Sequence, residues 1–281
     1  MTRLLPLAGF CCLVLAACKK DGQVPSYAEF DAPMVVDANG AGISSRITDL
    51  WVYVNDQPAG VWEPGRPVPL LASGNSNVKL IAGVRRNGVI NDRIQYPFYA
   101  TWQQQMDLVP GQTRPVSPQF RYYDNLVFWI ADFNTGQRFD TLDCTATMEL
   151  VPSDSTLLGQ GSHYGRISLD PAHSMYRGVS SGDPFTTTTG AFLEMDYRSD
   201  TRLLIGVRYK KAGVQYDTAY LYVMPTKRGD GSMPWNKIYI DIAEPWNQSA
   251  ATDKRFYLKA ELEGGATAGR IDVDNIKIVH R

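Results

Sequence analysis

Arg255-Phe256-Tyr257-Leu258-Lys259-Ala260-Glu261-Leu262-Glu263 puts Phe256, Leu258, Ala260 and Leu262 on one side of the chain and Tyr257, Lys259, Glu261 and Glu263 on the other. A period of two belongs to a half-buried strand, since helical spacing would scatter those apolar residues around the axis. Nearer the C terminus, Ile271 and Val273 occupy odd positions whereas Ile276 and Ile278 occupy even ones. One residue of slip reverses the faces of a strand, so the phase change at Asp274-Asn275 predicts a β-bulge. Upstream, Ile238, Ile240 and Ile242 alternate with Tyr239 and Asp241. Such runs between residues 126 and 279 amount to roughly nine strands, enough for a two-sheet jelly roll.

The same alternation extends back to about residue 35. Leu50, Val52 and Val54 oppose Trp51 and Tyr53, and Val78, Leu80 and Ala82 repeat the pattern before a hairpin-type turn at Asn87-Gly88. Turn-forming stretches at Asn55–Pro58, Glu63–Gly65 and Val109–Gln112 separate these runs. The chain therefore reads as all-β, with a small Ig-like β-sandwich over residues 35–121 and a larger C-terminal jelly-roll β-sandwich over 122–281. Lys and Arg number 28 against 29 Asp and Glu, for a formal net charge of −1. That balance lacks the basic surplus that phosphate binding needs, which argues against nucleic acid as a partner.

The N terminus carries a different signal. Arg3 precedes an apolar run from Leu4 to Ala17, too short to span a bilayer. The run ends in Leu15-Ala16-Ala17-Cys18, with small residues where a signal peptidase must fit the extended chain. Residues 1–17 thus read as a signal peptide, and 18–34, mixing charge, Pro and Gly, as a modified cysteine followed by a flexible tether. Cys11 and Cys12 leave with the signal, so Cys144 has no intrachain partner and no disulfide framework is expected.

Leu15–Cys18 resembles a bacterial lipobox, in which the cysteine thiol is diacylated and becomes the first residue. Lys19-Lys20-Asp21 is similar to the short charged tags that export some Bacteroidota lipoproteins to the cell surface. The resemblance implies a lipid bilayer as partner through acylated Cys18, at the outer membrane, facing the cell surface or the periplasm. The jelly roll opens with Phe128-Trp129-Ile130-Ala131-Asp132-Phe133 and closes with Gly269-Arg270-Ile271-Asp272-Val273-Asp274-Asn275-Ile276-Lys277-Ile278. It resembles the galactose-binding-like jelly rolls of carbohydrate-binding modules, and the whole layout looks like Bacteroidota cell-envelope lipoproteins. In those modules a structural calcium often pins the first strand to the last. The positions that match here are Asp132, Asp272 and Asp274, and six to eight oxygen ligands would be needed.

Catalytic motifs are scarce. His163, His173 and His280 keep no metal-ligand spacing. Gly178-Val179-Ser180-Ser181-Gly182 matches the nucleophile-elbow expression, but Pro184 and Thr186–Thr189 follow where that elbow must open a helix. No catalytic residue and no required cofactor is assigned. The aromatic residues say more. Sugar rings stack on indole and phenol, and Trp235-Asn236 and Trp246-Asn247 lie in turn-like contexts flanking one strand, each with an amide able to bond hydroxyls. These four residues are the candidate ligand-binding set, the competing reading being that both tryptophans cap the core. Trp51, Trp62, Trp102 and Trp129 lie in strand-like stretches and read as core. The expectation is a non-enzymatic glycan-binding lipoprotein. A structural protein that binds other envelope proteins is the alternative, and a glycan-cleaving enzyme with two facing carboxylates is the third.

Overall fold

The computed structural model describes residues 24–281 apart from 40, 41, 155, 157, 160, 183, 184, 186–189 and 249. The signal segment, Cys18 and Lys19–Asp21 lie outside the described residues. Among the described residues the chain is all-β, and no helix is long and apolar enough to cross a membrane.

Two antiparallel sheets form the C-terminal sandwich. One runs Met148–Pro152, His163–Leu169, Gly269–His280, Ala191–Ser199, Asn236–Asp241, with Val127–Ala131 paired to the far half of the closing strand. Its five-stranded partner runs Phe139–Thr141, Met175–Ser180, Thr252–Glu261, Leu203–Lys211, Val214–Val223. Inward residues fill the space between them, among them Phe256, Leu258, Ala260, Ile271, Val273, Ile276 and Ile278. This is the face that the alternation assigned.

The expected bulge lies in the closing strand. Glu194 pairs with Lys277 and Asp196 with Asp274, so Asn275 and Ile276 together oppose Met195. Asn275 takes φ 47°, in the left-handed region that asparagine tolerates better than most residues. The extra residue keeps Val273 and Ile276 both inward, and it gathers Asp272, Asp274, Lys277 and Val279 on the outer face.

Strands before residue 121 pair among themselves in three small sheets, the largest built on Gly74–Arg85 between Asp49–Val54 and Arg93–Gln95. Here the tether reading of 18–34 needs correction. Ser26–Phe30 is a strand between Thr113–Val116 and Pro67–Leu70, with Ser26, Ala28 and Phe30 buried. The reason is again period two: Tyr27 and Glu29 face out, and the prolines at 25 and 33 fall just outside the paired residues.

Phe192, Tyr239 and Val279, from the outer face of the larger sheet, are buried in the same apolar cluster as Leu50, Leu80, Tyr96 and Phe120. At this seam lies a set of buried charges. The Glu194 carboxylate accepts bonds from the hydroxyls of Tyr96 at 2.5 Å and Tyr122 at 2.7 Å, and the Lys237 ammonium stands 3.3 Å away. Burial pushes the Glu194 carboxyl up, but Lys237, Lys277 and the two hydroxyls outweigh it and hold the group below its ordinary range. Lys237 also reaches Asp196 at 3.5 Å, and burial lowers the Lys277 amine.

Asp274 is the exception, pushed up to about 8 by burial first and then by Asp196 and Asp132, against the Asn275 amide bond it accepts. Near neutral pH Asp274 thus sits beside the Glu194–Lys237 pair as a neutral acid. Its native carboxyl holds a proton that the unfolded chain has released above about pH 4, so stability falls as pH rises from about 4 through about 8. Asp274→Asn should flatten this fall. The denaturation midpoint of the variant should gain on the natural chain between pH 6 and pH 9, with 1 kcal/mol worth roughly 2–4 °C in a chain of this size. Glu194→Gln, which leaves Lys237 and Lys277 short of one buried counter-charge, should cost about 3 kcal/mol in chemical denaturation.

Candidate functional site

The Asn87-Gly88 turn, with φ of 57° and 73°, continues the larger sheet beyond its edge strand. Asn87 N donates to Tyr239 O at 2.8 Å, and the Asn87 side-chain oxygen accepts from Asp241 N at 2.9 Å. Beside it the segment around Ser44–Thr48 is held by Ser44 Oγ on Asp196 at 2.6 Å and by Arg46 N donating to the Tyr239 hydroxyl at 3.0 Å. These bonds anchor one wall of a cleft at the start of the edge strand. The opposite wall is Met224–Arg228 and Pro234–Asn236, tied down where Thr226 exchanges bonds with the Ser199 backbone at 2.9 and 3.1 Å.

The cleft measures about 530 Å³ and is lined by Arg46, Tyr197, Met224, Arg228, Trp235 and Asn236, among others. A smaller cleft of about 180 Å³ shares Arg46, Asn236 and Lys237 and adds Arg85 and Tyr239. The Trp235 indole is wedged edge-on against Tyr164, with ring centres 5.4 Å apart, and the Arg198 guanidinium lies 4.8 Å from its centre. Asn236 Nδ2 donates to the Tyr197 hydroxyl at 3.0 Å. Trp235 Nε1, Asn236 Oδ1 and Arg85 Nε are buried without a partner in the chain, although the great majority of buried polar atoms have one. Among the described residues no Asp or Glu lines either cleft. Beneath the floor, Glu194 and Asp196 are engaged by Lys237, and Asp230 stands close enough to Arg228 to interact with it. An aromatic ring, an amide, a phenol and guanidinium donors together suit a ligand rich in hydroxyl or anionic oxygens.

The structure brings Trp235 and Asn236 into this cleft but separates them from Trp246 and Asn247. Both tryptophans are buried, Trp235 9% exposed and Trp246 not at all, as the core-capping reading had it, and of the two Trp235 borders the cleft. Trp246 ends the single-turn helix Ala243–Trp246, is completely buried, and packs on Phe185 with ring centres 4.9 Å apart. Its backbone N donates to Ile242 O, so the turn folds inward and the indole plugs the sandwich end. Asn247 follows on the surface.

The calcium set divides too. Asp272 is fully buried and its two oxygens are taken by Arg166 at 2.7 Å, Arg198 at 2.7 Å and Arg270 at 2.5 Å. Burial raises the Asp272 carboxyl, but the three guanidiniums outweigh that and hold it below its ordinary range. Asp272 is thus an arginine counter-ion and not a free ligand. Asp132 and Asp274 come close enough to interact, together with Asp196, which the sequence reading did not include. Among the described residues no three His, Cys, Asp or Glu side chains converge as cation ligands. Ser180 lies buried within a strand, its Oγ accepting from Phe256 N at 3.3 Å, and so is no elbow nucleophile. Cys144 Sγ is half-buried and accepts from Arg177 N at 2.9 Å.

Arg46, Tyr197 and Arg228 were not legible as site residues. Each is remote from Trp235 in sequence or carries no motif, and only the folding of the loops around the edge strand brings them to one cleft.

No protein-family model matches the chain, and no curated protein matches it. Among solved structures it is similar to a family 29 carbohydrate-binding module complexed with mannohexaose, at 9% identity over 55% of this chain and 92% of that chain, TM-score 0.35. It is also similar to the family 11 module from Clostridium thermocellum in complex with a β-1,3-1,4-mixed-linked tetrasaccharide, at 14% identity over 54% and 94%, TM-score 0.37. The family 30 module of a Clostridium thermocellum cellulosomal cellulase matches at 15% identity over 54% and 91%, TM-score 0.34. At such identity a likeness concerns fold alone.

Trp246→Ala should cost roughly 3–5 kcal/mol in chemical denaturation, because it empties a fully enclosed site at the end of the core.

Proposed function

We propose that this protein binds carbohydrate, without cleaving it, through the cleft at the start of the edge strand. One observation carries the reading: Trp235, Tyr197, Asn236, Arg46 and Arg228 line the facing walls of an open cleft in which, among the described residues, no carboxylate takes part. A glycosidase would need two facing acids there. Trp235, itself buried against Arg198 and Tyr164, braces this wall, while the amide, phenol and guanidiniums offer bonds to sugar hydroxyls and ring substituents. The jelly roll supplies the rigid sheet edge that such a site needs, and the small sandwich contributes Arg46 and closes one side.

Leu15-Ala16-Ala17-Cys18 supports a second element of the proposal, attachment to the outer membrane through diacylated Cys18. Two acyl chains are enough for stable anchoring where one is marginal. Export to the cell surface, as the resemblance of Lys19-Lys20-Asp21 suggests, would put the cleft in reach of external glycans.

Affinity electrophoresis of the purified full-length protein against a panel of neutral and charged polysaccharides tests the binding role. At least one polysaccharide should retard it, and Asn236→Ala and Trp235→Leu should each weaken the retardation about tenfold while both still unfold cooperatively. No retardation by any member, or retardation untouched in both variants, would sink the reading. Cys18→Ala should move the protein from the membrane to the soluble fraction.

A protein-assembly role has one feature in its favour. Phe128 and Ile130, both partly exposed, line an apolar cleft of about 440 Å³ with Val36, Ile43 and Tyr123. Recovery of a single stoichiometric envelope protein, lost on Phe128→Glu and kept in Trp235→Leu, would favour that role.

A further inference from the structure

We propose that the carbohydrate taken by this cleft is polyanionic, a polysaccharide bearing carboxylate or sulfate groups. The inference rests on the carbohydrate-binding reading and narrows its ligand class. Its basis is how charge is distributed around the two contiguous clefts. Arg46, Arg85 and Arg228 line them, and among the described residues none of the three has a carboxylate within ion-pair distance, although Asp230 interacts with Arg228 from further off. Elsewhere the guanidiniums of Arg86, Arg93, Arg166, Arg177, Arg198, Arg208 and Arg255 are matched to carboxylates, and the other unmatched ones, such as Arg66, Arg114 and Arg121, are exposed and line neither cleft. The fourth cation at the cleft, Lys237, is neutralised from below by Glu194 and Asp196.

The layer behind Trp235 has the same sign. Arg166, Arg198 and Arg270 surround Asp272, and Arg198 also reaches Asp154 at 3.0 Å, so three guanidiniums face two carboxylates. The chain as a whole carries a net charge of −1, so this positive field is local and does not reflect general basicity.

Chemical type points the same way. A neutral sugar presents hydroxyls that both donate and accept, and a site for it benefits from carboxylate acceptors. Among the described residues these clefts offer N–H donors and no acidic side chain. Arginine supplies a planar fork that matches carboxylate and sulfate oxygens in pairs, and the free cations here are all arginine.

Two matched pairs of probes test this on the purified full-length protein: polygalacturonate against its fully methyl-esterified form, and dextran sulfate against dextran. The charged member of at least one pair should bind and its uncharged partner should not, with affinity falling as salt is raised. Arg46→Gln combined with Arg228→Gln should weaken binding about tenfold or more, whereas Arg66→Gln, an exposed arginine outside the lining, should leave it unchanged. Binding of polygalacturonate alone identifies carboxylate as the recognised group, and binding of dextran sulfate alone identifies sulfate. Equal binding of charged and uncharged members overturns the anionic inference while leaving the carbohydrate reading intact. Binding of none of the four overturns the inference, and the wider panel then decides the fate of the carbohydrate reading. Charged-probe binding that is equal in the double variant and in Arg66→Gln also overturns it, as non-specific attraction.

Discussion

Glu194 sits at the seam between the small sandwich and the jelly roll with no access to water, and the arrangement around it follows from satisfying that one carboxylate. An ionised carboxylate out of water is tolerated only when it is paired and fully hydrogen-bonded. Tyr96 and Tyr122 supply hydroxyls and Lys237 supplies charge, so the pieces that complete the site come from both sandwiches. A seam of apolar residues alone would permit sliding. Directional bonds at Glu194, with the Tyr99–Tyr239 hydroxyl contact at 3.0 Å alongside, fix one registration.

The bulge at Asn275-Ile276 makes this chemistry compatible with a continuous strand. Without the extra residue, the closing strand would carry Ile276 and Ile278 outward and Lys277 into the core. With it, one twelve-residue strand supplies inward apolar residues along its length and also presents Asp272, Asp274 and Lys277 to the outer face. Asp272 then collects three arginines, whose guanidiniums back Tyr164 and Trp235. The same local defect thus serves the core, the seam and the floor beneath the cleft.

The cleft itself exists because the edge strand is only partly covered. The Asn87-Gly88 turn pairs with it around Tyr239–Asp241, which protects part of the edge from adding a foreign strand. At Asn236 the cover stops, and the Ser44–Thr48 segment and the Met224–Arg228 loop leave an open space between them. Both segments are tied down, Ser44–Thr48 by Ser44 Oγ on Asp196, Arg46 N on the Tyr239 hydroxyl and Thr48 N on Gly83 O, and Met224–Arg228 by Thr226 and Lys227 on Ser199 O, so the loops are positioned before any ligand arrives.

Period-two alternation and turn chemistry determined the all-strand class, the inward face of each long strand and the bulge, because side-chain direction along a strand is a local property. The same logic, applied to Ser26–Phe30, would have recovered the strand that prolines at 25 and 33 disguised. Tertiary structure alone decided that both tryptophans are buried and that of the two Trp235 borders a cleft. Trp235 and Trp246 have nearly identical neighbours in sequence, yet one lines a cleft and the other fills the core, because a turn can fold inward or outward without changing its local pattern. Likewise, no spacing announces that Asp272 would meet Arg166, Arg198 and Arg270, or that Arg46 would stand across from Arg228. Those encounters depend on strand order, and strand order is a long-range choice that the free energy of the whole fold makes.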